Sequence, residues 1–184
     1  MAVPCRRKYP EYWGFIFDQR GVSAVEFALI LPIMLLLYFG SAEVAQGVAL
    51  NRMVALTAST VTNLVTQYTT ISASSQMPDI LNASAQVLAP YPSSNATVVV
   101  TCITIDASGR ATVAWSQALN GTAKTAGQSI AIPTALDTPN TTVVLGETTY
   151  SYTPVFDFIH IGTLQLYSSQ YMLPRASTTI NLTN

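Results

Sequence analysis

The chain has 184 residues and a net charge of −1; 49% of its residues are hydrophobic and only 9% charged. An average soluble domain carries about 25% charged residues, so this chain needs a membrane segment, an assembly partner or both. The charge balance excludes the basic footprint of a nucleic-acid binder, and a polar remainder built mostly of Ser, Thr, Asn and Gln fits an extracytoplasmic surface better than a cytosolic enzyme.

Residues 1–21 form a polar leader that cannot itself cross a bilayer. Arg6, Arg7, Lys8 and Arg20, half of the eight basic residues, lie in it. By the positive-inside bias the leader stays in the cytoplasm, and the mildly acidic remainder lies across the membrane. Residues 22–39 are apolar apart from Glu26 and the breaker Pro32. As a helix they extend about 27 Å, close to the thickness of a bilayer's hydrocarbon core. Pro32 removes one backbone donor and predicts a kink.

Helical character continues to about residue 68, with no proline and one glycine in "SAEVAQGVALNRMVALTASTVTNLVTQY". Leu50, Val54, Thr57, Val61, Leu64 and Tyr68 recur at alternating spacings of four and three, a narrow stripe on one face. That stripe is expected to pack on the chain's own folded domain. Gly40, Ser41, Ala42, Ala45, Gly47 and Ala49 are small enough for close approach of a neighbouring helix.

Beyond residue 68 the texture changes. "TTISASSQMPD" reads as a loop. A short second helix is expected from Asp79, stopped by Pro90. The β-branched run 96–105 and "SGRATVAWSQ" form a predicted hairpin through Asp106, Ser108 and Gly109. "TTVVLGETTYSYTP" (141–154) and "QYMLPRASTTINLT" supply further strands, and "NGTAKTAGQS" and "PTALDTPN" are loops. The prediction is an α+β, pilin-like fold: a long amino-terminal helix on a carboxyl-terminal antiparallel sheet of about four strands. The division is a leader (1–21), a transmembrane half-helix (22–43), an amphipathic half-helix (44–70) and an extracytoplasmic globular domain (71–184).

Chemistry-bearing residues are few. Cys5 and Cys102 fall on opposite sides of the predicted membrane, so no disulfide joins them, and Cys102 reads as a small core residue. His160 has no companion at metal-ligand spacing. Asp137 and Glu147 read as solvated loop charges, and Asp157 as a turn residue after Pro154. Trp115, Tyr150 and Tyr152 read as packing on a sheet face. Asn-x-Ser/Thr triplets at Asn82, Asn95, Asn120, Asn140 and Asn181 are largely chance in so Thr-rich a chain. No catalytic constellation, metal site or cofactor motif is expected.

Arg20-Gly21, Glu26 and the apolar run belong together: counting Val22 as the first residue, Glu26 is the fifth. This resembles the processing site of type IV pilin-like proteins. The fuller stretch "RGVSAVEFALILPIMLLLYFGSAEVA" resembles the TadE-like family, minor pilins or pseudopilins of the tight-adherence (Flp) pilus. "ETTYSYTPVF" and "SSQYMLPR" resemble that family's carboxyl-terminal elements, although "ASTTINLTN" extends past the usual end and is expected to form a final strand. The resemblance implies cleavage between Gly21 and Val22 by an integral-membrane prepilin peptidase. Glycine suits close approach of a protease to the backbone. The new Val22 amine would be positive at neutral pH and would pair with Glu26 of a neighbouring subunit or of its own chain, which would set assembly register; the rival is a Glu26 that lies near the headgroups and is merely hydrated. Implied partners are the peptidase, other pilins, the inner-membrane assembly platform and membrane lipid, with no nucleic acid. The implied location is the bacterial inner membrane, single-pass, with the carboxyl-terminal domain periplasmic and incorporation into a surface pilus. A secretory signal cut near "YFGSA" is the rival for the segment, but it would leave Glu26 inside the apolar region and cut a continuous helical pattern. A membrane-anchored periplasmic binding module that never polymerises is the rival for function.

Overall fold

The computed structural model describes residues 20–154 and 162–184. Asp157 and His160 fall outside that range, as do Cys5 and most of the leader. Two compact units divide the chain, Met1–Ala42 and Glu43–Asn184. A single helix, α1 (Arg20–Val65), contributes to both.

In the first unit the helix is apolar on every side and bare. Leu29, Ile33 and Leu37 are 70%, 62% and 64% exposed, and Val22, Val25, Phe27, Ile30 and Met34 are exposed as well. The α-helical assignment runs through Pro32. Proline has no amide hydrogen, so the Ala28 carbonyl loses its usual helical donor there.

The second unit is built on a four-stranded antiparallel sheet in the order β3-β2-β4-β5. Its strands are β2 (Ala96–Ile105), β3 (Ala111–Leu119), β4 (Thr141–Tyr152) and β5 (Leu164–Met172). Side chains alternate between two faces with the period of two that a strand imposes. Val98, Val100, Cys102 and Val144 point to one face and meet Val61 and Val65 of α1. Leu50 and Val54 continue that contact toward Ala96, Tyr150 and Tyr152. The opposite face carries Ile103, Ile105, Val143 and Leu145, covered by Ile130 and Ile132 of the loop that follows β3. Full burial of such side chains contributes about 1.5–3 kcal/mol each. The fold is thus the α+β arrangement expected from the sequence.

Leu50, Val54, Thr57 and Val61 of the predicted stripe are completely buried. The stripe then drifts: Val65 is buried, Leu64 only half-buried and Tyr68 37% exposed. A 3.5-residue repeat falls behind a 3.6-residue helix by about 20° per heptad, so the buried line moves one position on. Ala58 and Thr62 widen the buried face. The buried Thr57 and Thr62 hydroxyls donate to the Met53 and Ala58 carbonyls at 2.9 and 2.6 Å, which satisfies them within the helix. The helix ends at Val65 rather than near Tyr68.

Gly146 marks the closest approach of sheet to helix. A Cβ there would collide with Thr62 Oγ1 and lie 2.8 Å from the Ala58 carbonyl oxygen. A glycine inside a strand often marks such a place. At the β2–β3 pair, Ala114 is the additional residue between Trp115, opposite Cys102, and Val113, opposite Ile103. This bulge re-aims β3, so Trp115 joins the helix-side core.

Three further expectations change. The stretch read as a loop after residue 68 contains β1 (Thr70–Ser72), which pairs in parallel with β6 (Asn181–Thr183) in a separate two-stranded sheet. Three-residue strands carry no readable alternation. The second helix, α2 (Gln76–Ala85), begins before Asp79, which lies in its first turn. The strand preceding "LPR" begins earlier than expected, at Leu164.

Candidate functional site

The sequence-predicted site residues lie together at the start of α1. Gly21 is exposed, and a Cβ added there would meet nothing within 4 Å. Val22 and Glu26 are also exposed. Among the described residues the ion pair found is Lys124–Glu147, far from Glu26 in sequence. The amino-terminal carboxylate therefore stands on an apolar, uncovered helix with no ion pair from the described part of its own chain.

The small residues downstream divide. Ser41, Ala45 and Ala49 are exposed, and open space surrounds Gly40. Gly47 instead faces its own domain, with its Cβ position 3.9 Å from Tyr152 Cε1. One turn earlier, Tyr152 Oη donates to Glu43 Oε2 at 2.7 Å. Burial, and then this carboxylate, push the Tyr152 phenol up to about 12. At the other end of α1, the Arg175 amide donates to the Thr66 carbonyl at 2.9 Å, satisfying one of the carbonyls a helix end leaves unpaired.

Trp115, Tyr150 and Tyr152 are buried in the helix-side cores, as their strand spacing suggested. The Trp115 indole donates to the Ile180 carbonyl at 2.8 Å and holds the chain end against the sheet. Cys102 is buried, and that burial raises its thiol to about 11 despite an opposing hydrogen bond from the Ile180 backbone. It is a core group rather than an activated thiolate.

Glu147 corrects the sequence reading. It lies within β4, pairs with Lys124 and accepts a hydrogen bond from Tyr167 Oη at 3.0 Å. Lys124 arrives from the loop over the far sheet face, so sequence proximity gave no sign of it. Asp137 is exposed, as expected. Asp106 accepts from the Ser108 and Arg110 amides and the Ser108 hydroxyl, which shapes the β2–β3 turn with Gly109 at φ 80°. Asn120 and Asn140 have φ of 54° and 60°, a left-handed conformation that asparagine tolerates. Asn120 also donates to the Ser93 and Ala96 carbonyls. Backbone geometry accounts for these two asparagines.

Among the described residues no group of three His, Cys, Asp or Glu side chains is placed to hold a metal. A groove beside Cys102, Trp115 and Ile180 is lined also by Thr104, Thr142, Thr179 and Asn181. It brings no acid–base pair to a common point.

Among the described residues one helix is long and apolar enough to cross a membrane. Such a helix is consistent with a single-pass anchor. No curated protein and no solved structure matches the chain. Residues 21–62 match the family model for TadE-like protein, so this segment of α1 is similar to that family.

Proposed function

We propose that the chain is a minor pilin or pseudopilin that takes part in building a tight-adherence pilus for surface adhesion or export. Its amino-terminal half-helix is inserted in the bacterial inner membrane, and its folded domain lies in the periplasm. A prepilin peptidase removes the leader after Gly21. The chain acts as that enzyme's substrate and is not itself an enzyme; other pilins and the assembly platform are its partners.

The observation that carries this reading is the bare apolar helix with one carboxylate, within a segment matched as TadE-like. Water is a poor environment for a helix apolar all round; lipid and neighbouring helices are good ones. A carboxylate in lipid is costly unless paired. Cleavage supplies the pairing charge, since the Val22 α-amine is protonated at neutral pH. Gly21 adds support. A glycine in a helix costs up to about 1 kcal/mol against alanine, and here no close packing contact requires it. The first turn of a helix lacks acceptors for its amides, so it opens readily for a protease.

The test is Glu26→Gln in cells carrying the whole pilus system. Membrane insertion and leader removal should continue, and incorporation with other pilins should fall at least tenfold. Unchanged incorporation would remove the register role of Glu26 and favour an anchored protein that does not polymerise.

A further inference from the structure

Glu43 is the first residue of the second unit, downstream of the exposed run that ends near Tyr38. Tyr152 reaches that residue from the end of β4 across 109 positions of sequence. Its ring is buried, with Cε1 beside Gly47 one turn along the helix, so the side chain covers the turn between Glu43 and Gly47. The Arg175 amide holds the far end of the same segment at the Thr66 carbonyl. Both donors lie in the carboxyl-terminal stretches "ETTYSYTPVF" and "SSQYMLPR", beyond the residues matched by the family model.

We infer that Tyr152 and Glu43 are positioning residues for assembly: their hydrogen bond ties the Glu43–Gly47 turn of α1 to the end of β4, and so fixes the turn from which the helix runs on toward lipid and neighbouring subunits. The purpose of the free half rests on the pilin reading above; the tether itself does not. A phenol donating to a carboxylate is a charge-assisted hydrogen bond, among the stronger kinds available to side chains. A Cβ at Gly47 would lie 3.9 Å from the ring, in ordinary van der Waals contact, so the ring packs directly against this turn of the helix. Because burial and the carboxylate oppose ionisation of the phenol, Tyr152 stays a donor throughout the physiological pH range.

The test uses the full chain in lipid nanodiscs and reads amide exchange along α1. Tyr152→Phe and Glu43→Ala should each lower protection of residues 43–50 roughly tenfold, with little further loss in the double variant. Glu43→Gln keeps an acceptor oxygen and should restore part of the protection. Trp115→Phe, which removes a hydrogen bond elsewhere in the domain, should leave residues 43–50 unchanged. In cells, incorporation with other pilins should fall for Tyr152→Phe and recover partly for Glu43→Gln relative to Glu43→Ala. Unchanged protection at 43–50 in Tyr152→Phe would overturn the tether. So would a loss spread equally through β2 and β4. Reduced protection with full incorporation would overturn the role in assembly. Leader removal is read separately from the amino-terminal mass, so failure of the pilin reading and failure of the tether are distinguishable.

Discussion

The two halves of α1 share one helix and nearly the same appetite for apolar surroundings, yet only one finds them among the described residues. From Leu50 to Val65 the buried positions recur with the helical period and close onto the sheet. From Val22 to Leu37 large apolar side chains are exposed on every side. Hydrophobic content alone therefore does not say what a helix packs against; its angular distribution does. A one-sided stripe needs a one-sided partner such as a sheet, and an all-round apolar surface needs an all-round solvent such as lipid.

Glycine gives the sharpest way to break this contrast. Gly146→Val should destabilise the folded domain by about 3 kcal/mol or more, because its side chain has nowhere to go between Thr62 and the Ala58 carbonyl. Gly40→Ala, placed in open space, should leave domain stability within about 0.5 kcal/mol. Denaturant unfolding of both variants measures the difference. Next in size is a pair of truncations. Leu50→Ala should cost about 2–5 kcal/mol of domain stability, and Ile33→Ala, exposed in the other half, should cost the domain almost nothing. Equal losses would mean that the halves are not distinct in their support.

Trp115→Phe should cost about 1–2 kcal/mol, since it strands the Ile180 carbonyl without its donor. Its effect belongs to the second unit alone, as near-ultraviolet circular dichroism during unfolding will show. The smallest effects concern protons. Tyr152 faces Glu43 on α1 and lies near Tyr91, and its phenol is raised from the ordinary value near 10 to about 12. A group raised on folding contributes stability that is complete below its unfolded pKa and lost as pH rises through its folded one. The contribution of Tyr152 should therefore fade between about pH 10 and pH 12. Tyr152→Phe should flatten that part of the stability–pH curve. Cys102, raised to about 11 by burial, should resist thiol reagents at pH 8 until the domain unfolds.

Much of this architecture is legible in the residues. The run 96–105 is β-branched without interruption, and β2 occupies that range. The run 141–154 alternates, and β4 fills it to Tyr152. The stripe locates the face of α1 that meets the sheet, and only its last two positions drift. What the residues hide is contact between distant, individually ordinary groups. Glu147 looks like a solvated charge until Lys124 and Tyr167 converge on it from a loop and a neighbouring strand. Glu43 looks like one more polar residue after the apolar run until Tyr152 meets it. Gly146 carries a visible signal, a glycine amid valine, leucine and threonine, but only the approach of α1 explains it. The short pairing of β1 with β6 carries no periodicity at all. At the amino-terminal site the spacing of Gly21, Val22 and Glu26 is plain in the sequence, and the structure adds their exposure.

The central claim is that the bare half of α1 begins its working life at a newly made terminus. Intact-mass and amino-terminal sequencing of the protein recovered from membranes of cells with an active prepilin peptidase tests it most directly. The account predicts a chain whose first residue is Val22. A chain that retains its leader, or one that begins downstream of the apolar helix, would contradict it.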